Sequence, residues 1–117
     1  FKGSVVAYSN DVKISMLNLS ALDIEKYGAV SKEVVEQMAE GARQALNTDY
    51  AIATSGIAGP DGGTDEKPVG TVWIAISSND KTISKMYTYG DSRVYNIEKS
   101  TTVALNMLRV FIEEENI

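Results

Sequence analysis

An α/β domain is what the sequence predicts, built as three layers, α/β/α, around a mixed β-sheet. Two observations carry that expectation. Tyr50-Ala51-Ile52-Ala53-Thr54 and Thr71-Val72-Trp73-Ile74-Ala75-Ile76 are near-continuous runs of small or β-branched apolar residues, the pattern of central strands covered on both faces. Long helical patterns stand before and after them, over residues 31–46 and 96–115. The connection from Gly56 to Gly70 is Gly-rich and carries no helical period, so an antiparallel return is expected there rather than a right-handed crossover.

Taken in order, Ser4 to Tyr8 reads as a short strand, and Ser9-Asn10-Asp11 is helix-start chemistry in which Ser9 or Asn10 can accept from free amides. A short helix runs from there through Leu17. Ser20-Ala21-Leu22-Asp23 has capping-box spacing and Gly28 supplies a left-handed stop after Tyr27, which defines a second short helix. From Ser31 to Leu46, Val34, Val35, Met38, Ala42, Ala45 and Leu46 recur at helical spacing with charge mostly between them. Lys81 to Tyr89 follows the Ser77-Ser78-Asn79-Asp80 turn and reads as a hairpin strand nearer the edge. Asn96 to Glu115 closes the chain as a helix whose Ile97, Ala104, Leu105, Leu108, Phe111 and Ile112 are expected to face the core. Its acidic end opposes the helix dipole and should fray.

The 117 residues are 44% hydrophobic and 23% charged, enough for one core, so residues 1–117 are expected to form a single domain. No apolar run approaches the roughly 20 residues of a membrane helix and no leader pattern opens the chain, so a cytoplasmic location and no membrane partner are expected. With no Cys and no His, disulfides, thiolate metal sites and the commonest metal ligand and general base are unavailable. Acid–base chemistry falls to Lys, Tyr or carboxylates. A net charge of -5 has the wrong sign for a nucleic-acid binder. The start Phe1-Lys2-Gly3-Ser4-Val5-Val6 has no Met and enters a strand at once, the expectation for a fragment.

Chemistry concentrates in Ser55-Gly56-Ile57-Ala58-Gly59-Pro60-Asp61-Gly62-Gly63-Thr64-Asp65-Glu66-Lys67-Pro68-Val69-Gly70. Connections of this length without secondary structure are usually functional or disordered. Five of the nine glycines lie in it, where they let backbone approach a ligand or present amides to an anion. Its spacing is neither that of a P-loop nor of a dinucleotide fingerprint. The bland alternative is a wide hairpin. Lys13 falls in the first turn of the first helix, where the positive end of the dipole disfavours an ammonium, so it reads either as a general base or as a solvated surface lysine. Arg93 is either a bidentate phosphate or carboxylate ligand or an exposed loop arginine. Tyr87, Tyr89 and Trp73 read as sheet packing, and Asp61, Asp65 and Glu66 as solvated loop charge rather than a metal site.

The run Thr54-Ser55-Gly56-Ile57-Ala58-Gly59-Pro60-Asp61-Gly62-Gly63-Thr64, continuing through Lys67-Pro68-Val69-Gly70-Thr71-Val72, resembles the signature of the CinA carboxy-terminal domain family, the nicotinamide mononucleotide deamidases. Gly3-Ser4-Val5-Val6-Ala7-Tyr8-Ser9-Asn10 with Lys13, and Gly28-Ala29-Val30-Ser31, carry the same resemblance, so it covers the chain in order. It implies metal-free and cofactor-free hydrolysis of the carboxamide of nicotinamide mononucleotide, a small-molecule substrate, to nicotinate mononucleotide and ammonia, by a serine nucleophile and a lysine base.

Residue by residue, the resemblance makes Lys13 the lysine, Ser55 the hydroxyl ahead of Gly-Ile-Ala-Gly-Pro, Tyr8 the tyrosine near the substrate ring, and Arg93 an arginine of the substrate site. Here the chain reads Gly-Asp-Ser-Arg where relatives often read Gly-Asp-Arg. The family's nucleophile sits in a Ser-Cys-Thr-Gly-Gly motif on a strand-to-helix turn upstream, and these residues contain no such motif. The first strand and the nucleophile-bearing helix are therefore expected to lie outside the chain. Ser55 and the amides of Gly56 and Gly59 are expected to hold the oxyanion, and Gly62, Gly63, Thr64 and Lys67 the phosphate. An exposed apolar face left by the missing elements calls for a partner, so a homo-oligomer is expected. The alternatives to a hydrolase are a nucleotide-binding or interaction module of the same family that has lost the nucleophile, and a purely structural domain.

Overall fold

The structure, a computed structural model, describes residues 1–116. Its helices are α1 (Asn10–Leu17), α2 (Ala21–Tyr27), α3 (Lys32–Leu46) and α4 (Arg93–Glu115), and its strands are β1 (Tyr50–Gly56), β2 (Thr71–Ser78) and β3 (Thr82–Thr88). Each helix begins on a serine. Ser9, Ser20, Ser31 and Ser92 accept from the backbone amides of Val12, Asp23, Val34 and Tyr95, satisfying donors the first turn leaves free. Asn18 and Asn47 close α1 and α3 in the left-handed conformation that Asn tolerates better than most residues. α4 starts three residues earlier than the apolar pattern suggests because Ser92 supplies the cap, which brings Arg93 into the helix.

The strands order β1-β2-β3 with both pairings antiparallel. Ile76 lies opposite Ile52 on one side and Ile83 on the other. β2 is the middle strand and is buried on both faces. Its Val72 and Ile74 pack with Ala104 of α4, joined by Ile52, Tyr87, Val103 and Met107. Its Ala75 packs on the other face with Val35 and Ala39 of α3 and Ala53 of β1. Helices thus cover opposite faces of the sheet, and the α/β class and the three layers expected from the sequence stand. A third cluster, Leu17, Leu19, Ile24 and Val34, seats α1 and α2 on α3. No helix among the described residues is long and apolar enough to cross a membrane.

Several sequence expectations change. Ser4–Tyr8 is not a strand: it alternates in burial as a strand does, with Val5 and Ala7 packed against the third cluster and Val6 and Tyr8 exposed, but among the described residues no neighbouring backbone forms a ladder with it. The three strands are antiparallel throughout, so the parallel member of a mixed sheet is not among the paired strands. β1, expected to be central, has one paired edge and one open edge. Of the α4 residues expected to face the core, Ala104 and Phe111 do, whereas Ile97 and Leu105 are 48% and 59% exposed. Ile97 borders the cavity beside Thr54 and Gly56, and Leu105 borders the groove along β1. On α3, Ala45 is exposed although it shares the face of Val34, Met38 and Gly41; it stands in the last turn of the helix. α4 stays helical through Glu115 despite its acidic end. Arg109 pairs with Glu113 and Ser78 donates to Glu115.

The contact of α1 with α3 depends on one missing side chain. A Cβ at Gly41 would overlap the Leu17 carbonyl oxygen and lie 2.8 Å from its carbonyl carbon, both rigid backbone atoms. Gly41→Ala should therefore lower stability by about 1–3 kcal/mol, read as a lower urea midpoint at unchanged slope. Tyr89 offers a second check. Its hydroxyl is buried without a hydrogen-bond partner among the described residues, and burial, then Tyr87 and Tyr95, raise its ionisation above the ordinary 10.0. The folded chain holds this proton more tightly than the unfolded one. Its contribution to stability is therefore fully present below pH 10.0 and is lost as pH rises through the raised value. Alkaline titration of tyrosinate absorbance should show one late-ionising tyrosine, absent in Tyr89→Phe.

Candidate functional site

The Gly-rich connection leaves β1 at Gly56 and is tied down at both ends. Ile57 donates to the Thr71 carbonyl at 2.9 Å and Gly70 donates to the Ile57 carbonyl at 2.7 Å, which prolongs the β1–β2 hairpin into the loop. Gly70 takes φ +92° with the Tyr89 and Gly90 backbone packed where a side chain would stand, so only glycine fits. Between these ends the Gly59–Pro60 peptide is cis. An inner turn closes as Thr64 donates through its amide to the Lys67 carbonyl and accepts from the Lys67 amide on its hydroxyl.

Two residues of the connection converge on the turn between α2 and α3. The Ser55 hydroxyl donates to the Ala29 carbonyl at 2.7 Å. The Lys67 ammonium donates to the Tyr27 carbonyl at 2.6 Å, closing the C-terminal end of α2, where a cation is favoured. Ser31 completes the clasp, donating to the Gly28 carbonyl while capping α3. Ser55 reaches this side because the pleat alternates: Ala53 and Ser55 face the α3 layer, while Thr54 and Gly56 face α4. On the α4 side, Thr54, Gly56, Ala58, Asn96 and Ser100 help line a cavity of about 180 Å³.

Lys13 stands apart. It is 6% exposed in the first turn of α1, and no hydrogen bond or ion pair engages its side chain among the described residues. Its Nζ is not among the buried side-chain atoms left without a partner, so the stem is buried while the amine reaches the surface. Tyr8 is 95% exposed and makes no contact with Lys13 or Ser55 through a hydrogen bond. Arg93 donates to the Gly59 carbonyl at 3.2 Å, so the arginine and the cis turn are linked. Gly62, Gly63 and Thr64 lie at the exposed tip of the loop. Asp61, Asp65 and Glu66 are exposed too, and among the described residues no group of three metal-ligating side chains converges.

One site residue escapes a sequence reading. Asn96 is 1% exposed and its amide donates to both the Ala58 and Gly90 carbonyls at 2.9 and 2.8 Å. It latches the Gly-rich connection to the segment that precedes α4. The only sequence signal is a polar residue in the first turns of a helix, a place where Asn often bonds locally instead of across space. Its carbonyl oxygen is buried and unpaired among the described residues.

The family model described as the CinA C-terminal domain matches residues 1–112. A CinA-like protein of Fervidobacterium nodosum is 50% identical over 109 residues, which is 93% of this chain and 27% of that protein. Another of Thermosipho melanesiensis is 52% identical over 111 residues, 93% of this chain and 28% of that protein. The crystal structure of the competence/damage inducible protein CihA from Agrobacterium tumefaciens superposes with a TM-score of 0.85 at 37% identity, over 88% of this chain and 64% of that one. The competence damage-inducible protein A from Klebsiella pneumoniae does so with a TM-score of 0.83 at 34% identity, again over 88% and 64%. The chain thus spans little more than a quarter of the length of these CinA-like relatives.

Because the Asn96 side chain donates to both loops, Asn96→Ala should leave both carbonyls without that donor and cost about 1–3 kcal/mol. Amide exchange across residues 57–70 should speed up well before the sheet opens, a result readable by mass spectrometry.

Proposed function

We propose, from the premise that the chain belongs to the CinA C-terminal domain family, that it forms part of an amidohydrolase that converts nicotinamide mononucleotide to nicotinate mononucleotide and ammonia. The observation that carries this reading is Lys13, 6% exposed at the start of a helix and with no side-chain hydrogen bond or ion pair among the described residues. Such an amine is placed to take the proton of a serine hydroxyl. The serine comes from outside these 117 residues. Its oxygen adds to the carboxamide carbon as Lys13 takes the proton, and Lys13 returns that proton to the departing nitrogen, which leaves as ammonia. Water then opens the acyl-serine ester by the same base, releasing the carboxylate and restoring the serine.

Fixed donors must meet the negative oxygen formed in each addition. Ser55 fits that role after its hydroxyl turns from the Ala29 carbonyl, and the Gly56 and Gly59 region adds backbone. The phosphate falls to the exposed tip at Gly62, Gly63 and Thr64. Lys67 can contribute one of its remaining protons while another holds Tyr27. Arg93, linked to the loop through Gly59, is the alternative anion ligand. Tyr8, with its ring free, is available to cover the pyridine.

The complete protein should release ammonia from nicotinamide mononucleotide in the presence of a chelator. Lys13→Ala should lower kcat by about 10²–10⁴ while calorimetry shows substrate affinity changed by less than tenfold. Full activity of Lys13→Ala, or full dependence on a divalent metal, would overturn the serine–lysine reading. Binding of the nucleotide without any turnover by the complete protein would leave a binding module instead.

A further inference from the structure

Two consecutive amides of the Gly-rich connection, those of Ala58 and Gly59, donate to no acceptor among the described residues. Gly59 is buried. A buried N–H without a partner is rare in a folded chain and points to an acceptor supplied from elsewhere. Pro60 follows and has no N–H, so Gly59 carries the last donor before the exposed tip.

The direction of the Gly59 N–H is set from α4. In a trans peptide the C=O and the N–H of one plane point opposite ways. Gly59–Pro60 is the one cis peptide among the described residues, so the plane shared by Ala58 and Gly59 is trans. Its carbonyl accepts from the Asn96 amide at 2.9 Å, which turns its N–H away from the α4 layer. The Ser55 hydroxyl, bonded to Ala29, is turned away from that layer too. The next carbonyl, that of Gly59, accepts from Arg93 at 3.2 Å. Arg93 and Asn96 stand three residues apart and so share a helical face. From that face α4 holds both peptide planes flanking the Gly59 Cα.

Asn96 has no freedom to act otherwise. Its second N–H goes to the Gly90 carbonyl at 2.8 Å, so turning the amide over would set its oxygen against two carbonyl oxygens. A donor held from behind in this way does not reorganise when charge appears in front of it.

We propose that Asn96 is a positioning residue of the amidase reaction: it aims the Gly59 N–H at the oxygen that becomes negative when the carboxamide carbon is attacked. This rests on the amidase reading. As the serine oxygen bonds to that carbon, the C=O electron pair moves onto oxygen, where the Gly59 N–H donates to it. The pair returns to re-form the carbonyl as the C–N bond breaks and ammonia leaves. Such a donor acts chiefly on kcat, since it matches the charged oxygen better than the ground-state carbonyl. Without Asn96 the plane is free to turn, because glycine on one side of it offers little resistance.

A thioamide substrate tests the assignment in the complete protein. The thioamide analogue of nicotinamide mononucleotide releases ammonia by the same steps, but sulfur is a weak hydrogen-bond acceptor and gains little from an aimed N–H. Asn96→Ala should therefore lower kcat for the amide at least about tenfold more than kcat for the thioamide, with each KM changed by less than about threefold. Both substrates are turned over by the same sample, so any unfolded fraction of the variant cancels from the ratio. Ser100→Ala loses only a hydroxyl that donates to the Asn96 backbone carbonyl within α4, and should leave the ratio as it is in the unsubstituted protein. Equal loss on the two substrates, or unchanged rates, would overturn the proposal and leave Asn96 a structural latch. A raised KM with kcat preserved would overturn it too, by making the N–H a ground-state contact. No ammonia from the amide by the unsubstituted protein would instead overturn the amidase reading, and the role of Asn96 with it.

Discussion

Burial of β2 on both faces is the constraint on which the other elements depend. An apolar strand with no polar face must be sandwiched, so a helix is required on each side, and the sequence supplies one before and one after the hairpin. The chemistry of the two faces then sets how closely each helix packs. Toward α3 the contact is made by Ala39, Ala53 and Ala75, small residues that bring helix and sheet together. Toward α4 it is made by Val72, Ile74 and the tyrosines of the last hairpin, a bulkier layer that also accommodates the cavity beneath Asn96.

The two edges of the sheet are built differently. β3 alternates in burial and places Lys85 among its exposed residues, its ammonium lying over the Tyr87 ring. A lysine on a short edge strand discourages pairing with another chain. β1 has no charged residue, and its sequence Tyr50-Ala51-Ile52-Ala53-Thr54-Ser55-Gly56 is suited to an interior position. Natural sheets do not leave such an edge bare. β3 thus has the chemistry of an edge strand, whereas β1 has the composition of a central one although only one of its sides is paired among the described residues.

Much of the fold was legible because its signals are local. Serine caps ahead of apolar periodicity located α1, α2 and α3 within a residue, and the two apolar runs located β1 and β2. What failed was non-local. Ser4–Tyr8 has strand composition, but pairing needs a partner that sequence cannot see. Ile97 and Leu105 share a helical face with buried residues, but whether that face is covered depends on elements elsewhere. The site was less legible still. Spacing alone left Lys13, Ser55 and Arg93 with ordinary alternatives, and only the family resemblance gave them roles. The hydrogen bonds of Ser55 and Lys67 to Ala29 and Tyr27 span 26 and 40 residues, and nothing in local chemistry announces them.

Those long-range bonds bear on how the site is held. In open α/β sheets ligands collect at the carboxyl ends of strands. Both the Gly-rich connection, leaving β1, and α1, leaving Ser4–Tyr8, belong to that end. A loop rich in glycine would ordinarily sample many conformations there. Here Ser55 and Lys67 fasten one side of it to the α2–α3 turn, while Asn96 and Arg93 fasten the other to the start of α4. Both helical layers are therefore coupled to the loop through backbone carbonyls. Only the tip from Pro60 to Glu66 is exposed throughout. The freedom glycine provides is confined to that tip, and the residues nearest the proposed chemistry are held by the same bonds that join the layers.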